Sequence, residues 1–191
     1  FKTLGAALHL RPGRRVIVAE GGSFPTDLYM VEGALGARGR LEGVDGPDLL
    51  DLIDEDVAAV LVNQVDYRTG RLRDLAAVTA KAHDVGALAI WDLCHSAGVV
   101  EVGLNAGGAD MAVGCTYKYL NGGPGSPAFV FAAARHLGAI RQPLSGWWGH
   151  ARPFAFEQGY TPDTGIRKFL CGTQGILSLR AMRPGLELLE E

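Results

Sequence analysis

A single lysine stands among turn-forming residues in the stretch Gly114-Cys115-Thr116-Tyr117-Lys118-Tyr119-Leu120-Asn121-Gly122-Gly123-Pro124-Gly125-Ser126-Pro127. The residues just before it, 109–113, have the apolar character of a short buried strand. Lys118 is therefore predicted just beyond the carboxyl end of a strand, where open α/β sheets bind ligands. Most lysines are solvated surface cations, but tyrosines flank this one and the glycines that follow let a ligand approach the backbone closely. Lys118 is thus a candidate for a lysine that forms a Schiff base.

Further apolar segments on both sides of this stretch are typical of buried strands. They lie at residues 15–20, 57–62, 87–91 and 127–132. Helical patterns separate the first three, and strands separated in this way make a mostly parallel sheet. The segment 127–132 is predicted to be antiparallel because only a short turn precedes it. The sequence therefore predicts an α/β fold, with a mostly parallel mixed sheet and helices on both faces.

The helical segments carry their own start signals. Residues 1–10 have apolar residues at helical spacing. Either Thr26 or Asp27 is predicted to cap the next helix, so capping competes with a functional role for Asp27. Asp74 is predicted to cap an amphipathic helix, and the last segment from Ile176 onward is predicted to be helical apart from Pro184. No internal repeat interrupts this order.

Composition excludes several classes of protein. The chain has 191 residues, of which 48% are hydrophobic, so it can bury a sizeable core. Its net charge of -3 gives no footprint for nucleic acid, and no apolar run approaches the roughly 20 residues of a membrane span. Cys94, Cys115 and Cys171 lack the spacing of a disulfide framework or a zinc site, and a cytoplasmic location is expected. The chain does not begin with methionine, and it is expected to be a fragment of a longer polypeptide.

Four loops follow the predicted strands and should meet at one edge of the sheet. They contain Phe24 to Asp27, Asn63 to Tyr67, Asp92 to His95, and Tyr117-Lys118. Together they offer an amine, a carboxylate and an aromatic ring, which are the groups that a pyridoxal phosphate site requires. The other histidines are scattered without ligand spacing, so no metal site is predicted. Neither a phosphate-binding G-x-x-x-x-G-K-[ST] motif nor a G-x-S-x-G nucleophile motif is present.

Several motifs in these loops resemble the kynureninases, a family of pyridoxal-phosphate enzymes of fold type I, and the likeness covers nearly the whole chain. The matching motifs are Phe24-Pro25-Thr26-Asp27, Val65-Asp66-Tyr67-Arg68-Thr69-Gly70, Asp92-Leu93-Cys94-His95-Ser96-Ala97-Gly98, Thr116-Tyr117-Lys118-Tyr119-Leu120-Asn121-Gly122-Gly123-Pro124-Gly125 and Gly146-Trp147-Trp148-Gly149-His150. Two of these motifs, the one that begins at Asp92 and the one that contains Lys118, form a specific pair. An aspartate followed by a lysine at this interval is shared by the whole superfamily and is a weaker signal.

This resemblance implies a role for each matching residue. Lys118 would form the Schiff base with the cofactor and then take the α proton of the substrate. Asp92 would pair with the pyridine nitrogen, and Phe24 would stack on the ring. Tyr117 would bind the phosphate and His95 would lie beside cofactor and substrate.

Other positions implied by the resemblance complete the expected cofactor site. Asp27 would support Asp92, and Pro25 and Thr26 share its motif. Asn63 stands where the family often has a threonine that contacts the phenolic oxygen of the cofactor. Trp147 and Thr173 match positions that reach the phosphate of the neighbouring subunit, so a homodimer with shared sites is expected. Some relatives carry asparagine at the position of Thr173.

The reaction implied by the resemblance is hydrolysis of kynurenine, or of 3-hydroxykynurenine, to the corresponding anthranilate and alanine. This belongs to tryptophan catabolism, to the kynurenine pathway and to NAD biosynthesis. Residues 1–145 would form most of a large domain, and 146–191 would form an interface segment and the beginning of a smaller C-terminal domain, with further segments of the enzyme outside the chain. Two alternatives stay open: another fold-type-I enzyme, such as a cysteine desulfurase or an aminotransferase, and an inactive fragment that binds no cofactor.

Overall fold

The computed structural model of the protein describes residues 1–44 and 47–190. Within them, one six-stranded sheet has the strand order β2-β1-β3-β4-β5-β6. The strands are β1 (Val16–Glu20), β2 (Arg40–Val44), β3 (Val57–Asn63), β4 (Leu88–Asp92), β5 (Met111–Cys115) and β6 (Ala128–Ala132). Strands β1 to β5 pair in parallel, and β6 pairs antiparallel with β5. The prediction of a mostly parallel mixed sheet with one antiparallel strand is confirmed.

Helices occur where the sequence predicted them, and a short additional helix follows β6. They are α1 (Lys2–Leu10), α2 (Pro25–Leu35), α3 (Leu75–Asp84), α4 (Ala134–Leu137) and α5 (Ile176–Glu187). Short 3-10 turns cover Gly36–Arg38, Pro47–Leu52, Trp147–Gly149, Pro153–Ala155 and Ile166–Phe169. The predicted change of pattern after residue 145 therefore corresponds to a region of turns that leads into α5. No helix in the described part of the chain is both long enough and apolar enough to cross a membrane.

The core lies on both faces of the sheet because successive strand residues point to opposite sides. Val60 and Trp91 pack on one face with α3. Ile17 and Ile90 pack on the other face with α1 and α2. Trp91 is fully buried, and its indole nitrogen donates a hydrogen bond to Thr79 Oγ1 on α3 at 3.1 Å, so the polar atom of this large side chain is satisfied. The central strands are therefore held firmly from two sides.

The turn that carries Lys118 is packed closely against the turn that follows β4. Gly98 has a φ of +88°, and a Cβ added there would lie 2.6 Å from the carbonyl oxygen of Tyr119. Only glycine permits this approach. The amide of Gly122 donates to the carbonyl oxygen of Thr116 at 2.8 Å and closes the turn. The backbone on both sides of Lys118 is thus fixed to the sheet edge.

One strand was missed, one local prediction was wrong and one was correct. Strand β2 was not predicted, although it pairs with β1 along its whole length. Phe24 is the N-cap residue of α2 and no side chain caps that helix, so neither Thr26 nor Asp27 has the predicted capping role. Asp74 does cap α3, because its carboxylate accepts a hydrogen bond from the amide of Ala77 at 3.0 Å.

Candidate active site

The predicted site residues meet at the carboxyl edge of the sheet. Strands β1, β3, β4 and β5 are neighbours in that order, so the loops that follow them emerge side by side. Asn63, the last residue of β3, is in register with Asp92, the last residue of β4. Phe24 lies a short turn beyond β1, and Lys118 lies a short turn beyond β5. Parallel pairing thus brings together residues that are as much as 94 positions apart in the chain.

Lys118 and His95 are in direct contact. The Nζ atom of Lys118 lies 3.0 Å from Nε2 of His95, and the lysine side chain is half-buried. Burial and the nearby positive charge of Lys118 lower the pKa of His95 below its usual value, so the imidazole is neutral at pH 7. The neutral ring accepts a hydrogen bond from the lysine through Nε2. This contact sets the direction in which the amine points.

Aromatic rings surround this amine. Its Nζ atom lies 5.8 Å from the ring centre of Phe24 and 5.6 Å from that of Tyr117, both within the range of a cation–π contact. Tyr67 lies between Phe24 and His95. The centre of its ring is 5.5 Å from that of Phe24 and 6.0 Å from that of His95. These rings form an aromatic wall that can pack against a planar ligand.

Two carboxyl groups lie below the aromatic wall. Asp92 is 7% exposed and accepts a hydrogen bond from the amide of Cys94 at 2.6 Å. Asp27 accepts a hydrogen bond from Nδ2 of Asn63 at 2.8 Å. Burial, and next the negative charge of Asp92, raise the pKa of Asp27 to about 7, although the bond from Asn63 acts in the opposite direction. The Asp27 carboxyl group therefore titrates near neutral pH.

Other predicted residues stand apart from this cluster. Pro25 and Thr26 form the exposed first turn of α2. The indole of Trp147 packs against Trp148 at 4.9 Å between ring centres and donates to the carbonyl oxygen of Pro153. Thr173 accepts a hydrogen bond at 3.2 Å from Trp148 rather than from Trp147. These contacts of Trp147 and Thr173 lie within the turn region that follows residue 145.

Sequence reasoning missed two ring contacts of the site. Tyr67 was quoted as part of a motif without a role, and Tyr119 only as a neighbour of the lysine. Both pack against His95, Tyr119 with ring centres 6.3 Å apart. The available signal was that each is an aromatic residue in a loop beyond a strand end, where large apolar side chains are not needed for the core.

Comparison with known proteins agrees with this geometry. The family model of aminotransferase class-V matches residues 36–191. The chain belongs to the aminotransferase class-V family. Kynureninase from Burkholderia mallei is 50% identical over 199 aligned residues, which cover 100% of this chain and 48% of that protein. Kynureninase from Pseudomonas fluorescens is 51% identical with the same shares.

The chain spans about half the length of the curated relatives it matches. Among solved structures, the apo form of a cysteine desulfurase from Thermococcus onnurineus NA1 superposes with a TM-score of 0.76. It is 20% identical, and the match covers 98% of this chain and 48% of the other. At that identity the likeness supports the fold alone. The motif resemblance to the kynureninases and the fold of this class-V chain are thereby confirmed.

The side chains of this class-V chain fit pyridoxal phosphate. Lys118 offers an amine for covalent attachment, and Asp92 offers a buried carboxylate whose position is fixed by the amide of Cys94. Phe24 offers an exposed ring within 5.8 Å of that amine. The hydroxyl group of Tyr117 is on an exposed side chain and is free to reach a phosphate. The donor set therefore matches the aldehyde, pyridine nitrogen, ring and phosphate of the cofactor.

Proposed function

We propose that the protein containing this chain uses pyridoxal phosphate to hydrolyse kynurenine, or 3-hydroxykynurenine, to the corresponding anthranilate and alanine. The observation that carries this proposal is the convergence of the Lys118 amine, the Asp92 carboxylate and the Phe24 ring at one edge of the sheet. The 50% identity to kynureninase over the whole chain supports this substrate in particular. The activity belongs to an enzyme class that cleaves carbon–carbon bonds by hydrolysis.

Each residue of the cluster has a role in this reaction. Bound pyridoxal phosphate supplies an electron sink for bond cleavage in an amino-acid substrate. Lys118 Nζ would hold the cofactor through an amine linkage and would serve as the base for the α proton of the substrate. Asp92 would accept a hydrogen bond from the protonated pyridine nitrogen, and Phe24 would pack on the ring. Tyr117 would bind the phosphate through its hydroxyl group.

His95 orients the base in this scheme. Its neutral Nε2 lies 3.0 Å from Lys118 Nζ, which keeps the amine near the aromatic wall. Because burial and Lys118 both lower the pKa of His95, the ring remains a hydrogen-bond acceptor at pH 7 and does not compete as a cation. His95 is therefore proposed as a catalytic residue together with Lys118 and Tyr117.

The wider organisation is part of the same proposal. Residues 1–145 form most of the cofactor-binding domain, and residues 146–191 form an interface segment and the start of a C-terminal region. Trp147 is 40% exposed, and Thr173 is exposed in the same turn region, so both are available to a second subunit. The proposed assembly is a homodimer in the cytoplasm, in which Trp147 and Thr173 reach the phosphate in the partner subunit.

A desulfurase function has less support. It requires a reactive thiolate, yet burial, and next the negative charge of Asp92, raise the pKa of the Cys94 thiol well above its ordinary value. The cysteine desulfurase among the structural neighbours is only 20% identical. Kynurenine hydrolysis is thus the better assignment.

The test uses the full-length protein. We expect an absorbance band at about 420 nm that borohydride shifts, because the cofactor would be attached through the amine of Lys118. Lys118→Ala should remove the band and lower the rate of kynurenine hydrolysis by about 10³-fold or more. Lys81→Ala, on α3, is the matched control and should leave both unchanged. Hydrolysis of another amino acid without any hydrolysis of kynurenine would overturn the proposed substrate.

A further inference from the structure

Asn63 joins two loops of the site through one buried side chain. It is the last residue of β3 and is 5% exposed. Its Nδ2 atom donates to Asp27 Oδ2 at 2.8 Å, and its Oδ1 atom accepts from the backbone amide of Phe24 at 3.4 Å. Both ends of the amide are therefore directed at the turn between β1 and α2. That turn carries the ring and one of the two carboxyl groups of the site.

Two other contacts hold this turn: the amide of Ser23 donates to the carbonyl oxygen of Glu20 at 3.0 Å, and the Phe24 ring packs edge-on against Tyr67. Helix α2 begins with Phe24 as its N-cap residue, and no side chain caps it. Phe24 itself is 45% exposed, so burial does not fix its ring. Asp27 lies in the first turn of α2. A link from β3 to both residues thus provides an anchor that the helix start does not provide by itself.

The position of Asn63 in the sheet makes this link relevant to the carboxyl pair. It is in register with Asp92 on β4, while its amide reaches across to Asp27 on α2. The groups that act on the Asp27 carboxyl are Asp92, through its charge and a side-chain hydrogen bond, the amide of Asn63 and the amino group of Phe1. Of these groups the Asn63 amide is neutral, and its hydrogen bond of 2.8 Å holds the Oδ2 atom of Asp27 without adding charge.

We propose that Asn63 is a positioning residue that holds Phe24 and Asp27 in the orientation needed to receive the cofactor. This proposal rests on the proposed function, since Phe24 is assigned there to cofactor binding. It adds to the role expected from the family resemblance, where the residue at this position contacts the phenolic oxygen of the cofactor. In the added role Asn63 acts through its neighbours.

The main test compares Asn63→Ala with the full-length wild-type protein. We expect the covalent absorbance band to form, but with about 10-fold weaker affinity for pyridoxal phosphate and a smaller visible circular dichroism per bound cofactor. The bond from Asn63 lowers the pKa of Asp27, so its removal should move the titration of Asp27 upward by about one pH unit. Carbon-13 NMR of the Asp27 carboxyl in the cofactor-free protein measures that shift without any activity assay.

A double-mutant cycle makes the test specific. In an Asp27→Asn background, Asn63→Ala should change cofactor affinity less than it does alone, because part of its effect passes through Asp27. Asn105→Ala, an exposed asparagine in the loop before β5, is the matched control and should change none of these readouts. Equal effects of Asn63→Ala in both backgrounds would overturn the proposal, as would an unshifted Asp27 titration.

A second variant covers the case in which Asn63→Ala does not fold. Asn63→Asp keeps the size of the side chain but replaces the donor with an acceptor beside two carboxyl groups. We expect cofactor affinity to be lowest at pH 8 and to recover at pH 6, where the carboxyl group of Asp27 is protonated. An affinity that is independent of pH would contradict the proposal. A wild-type protein that binds cofactor but does not hydrolyse kynurenine would count against the proposed function and leave these NMR and affinity outcomes decisive for Asn63.

Discussion

Asp27 and Asp110 are carboxyl groups at opposite edges of the same sheet, and their surroundings differ. Asp110 precedes β5 at the amino edge and is 1% exposed. It accepts hydrogen bonds from the amide of Ala89 at 2.7 Å, from His83 at 2.8 Å, from His136 at 2.7 Å and from Arg135 at 2.6 Å. Burial pushes its pKa up, but these donors outweigh burial and hold the pKa below its ordinary value.

Asp27 has the opposite balance at the carboxyl edge. It accepts one side-chain hydrogen bond, from Asn63, and faces the like charge of Asp92, so its pKa is raised to about 7. A carboxylate that is fully satisfied by the protein contributes stability, whereas one that is left short of donors keeps its capacity for a ligand. We therefore expect Asp110 at the amino edge to stabilise the fold and Asp27 at the carboxyl edge to serve ligand binding.

The largest expected effect is at the amino edge. Asp110→Asn removes the charge that Arg135 and two histidines surround, and it leaves those donors without their acceptor. We expect the free energy of unfolding to fall by about 3 kcal/mol at pH 7. Urea denaturation measures this value. Asp84→Asn, on the exposed face of α3, is the control and should change stability by less than about 0.5 kcal/mol.

The same group predicts how stability depends on acid. Because the pKa of Asp110 is lowered on folding, its contribution is present at neutral pH and is lost as pH falls through the folded-state pKa. The wild-type protein and Asp110→Asn should thus converge in stability at low pH. A constant difference between them from pH 7 to pH 3 would contradict the assignment of Asp110 as the stabilising charge.

A smaller effect of opposite sign is expected at the carboxyl edge. The pKa of Asp27 is raised on folding to about 7, so the folded chain loses stability as pH rises from the unfolded value toward 7. Asp27→Asn removes this loss and should make the cofactor-free protein about 2 kcal/mol more stable than wild type at pH 8, with solvent screening already discounted. Urea denaturation at pH 8 and pH 4 measures it. Equal stabilities of Asp27→Asn and wild type at pH 8 would show that ionisation of Asp27 does not destabilise the folded protein.

The smallest expected effect is that of Asp74, which tests whether any carboxylate near the carboxyl edge influences cofactor binding. Asp74 also lies near the carboxyl edge, but it is exposed and its carboxylate caps α3 through the amide of Ala77. We expect Asp74→Ala to lower the free energy of unfolding by about 1 kcal/mol at neutral pH. Cofactor affinity should stay unchanged. Loss of affinity in this variant would mean that the edge as a whole, and not the Asp27–Asp92 pair, determines binding.

Much of the fold follows from residues that can be read in order along the chain. Strands β1, β3 and β4 are continuous apolar runs because both of their faces are buried, and such runs are visible in the sequence. Strand β2 lies at the edge of the sheet, and Arg40 and Glu42 form an ion pair there with the arginine largely exposed. An edge strand with charged residues on one face has no comparable signal.

The site was predictable only in part, for a related reason. Parallel topology alone places Phe24, Asp92 and Lys118 at one edge, so their convergence could be predicted. Whether Asp27 caps a helix or faces Asp92 depends on Asn63, which is 36 residues away. Likewise, Thr173 accepts its hydrogen bond from the indole of Trp148, which lies 25 positions earlier in the chain. Contacts of this kind are set by packing, which local sequence patterns do not report.

The strand order has a consequence for how this protein acquires its chemistry. The loops that hold Phe24, Asn63, His95 and Lys118 come from four adjacent strands, and β5 is the last of these to be synthesised. Parallel pairings of such long sequence separation form slowly, because the entropy of loop closure opposes them. Cofactor capture must therefore follow the late steps of sheet assembly. A nascent chain that ends before β5 has a hydrophobic core in formation but lacks Lys118, the amine proposed to hold the cofactor.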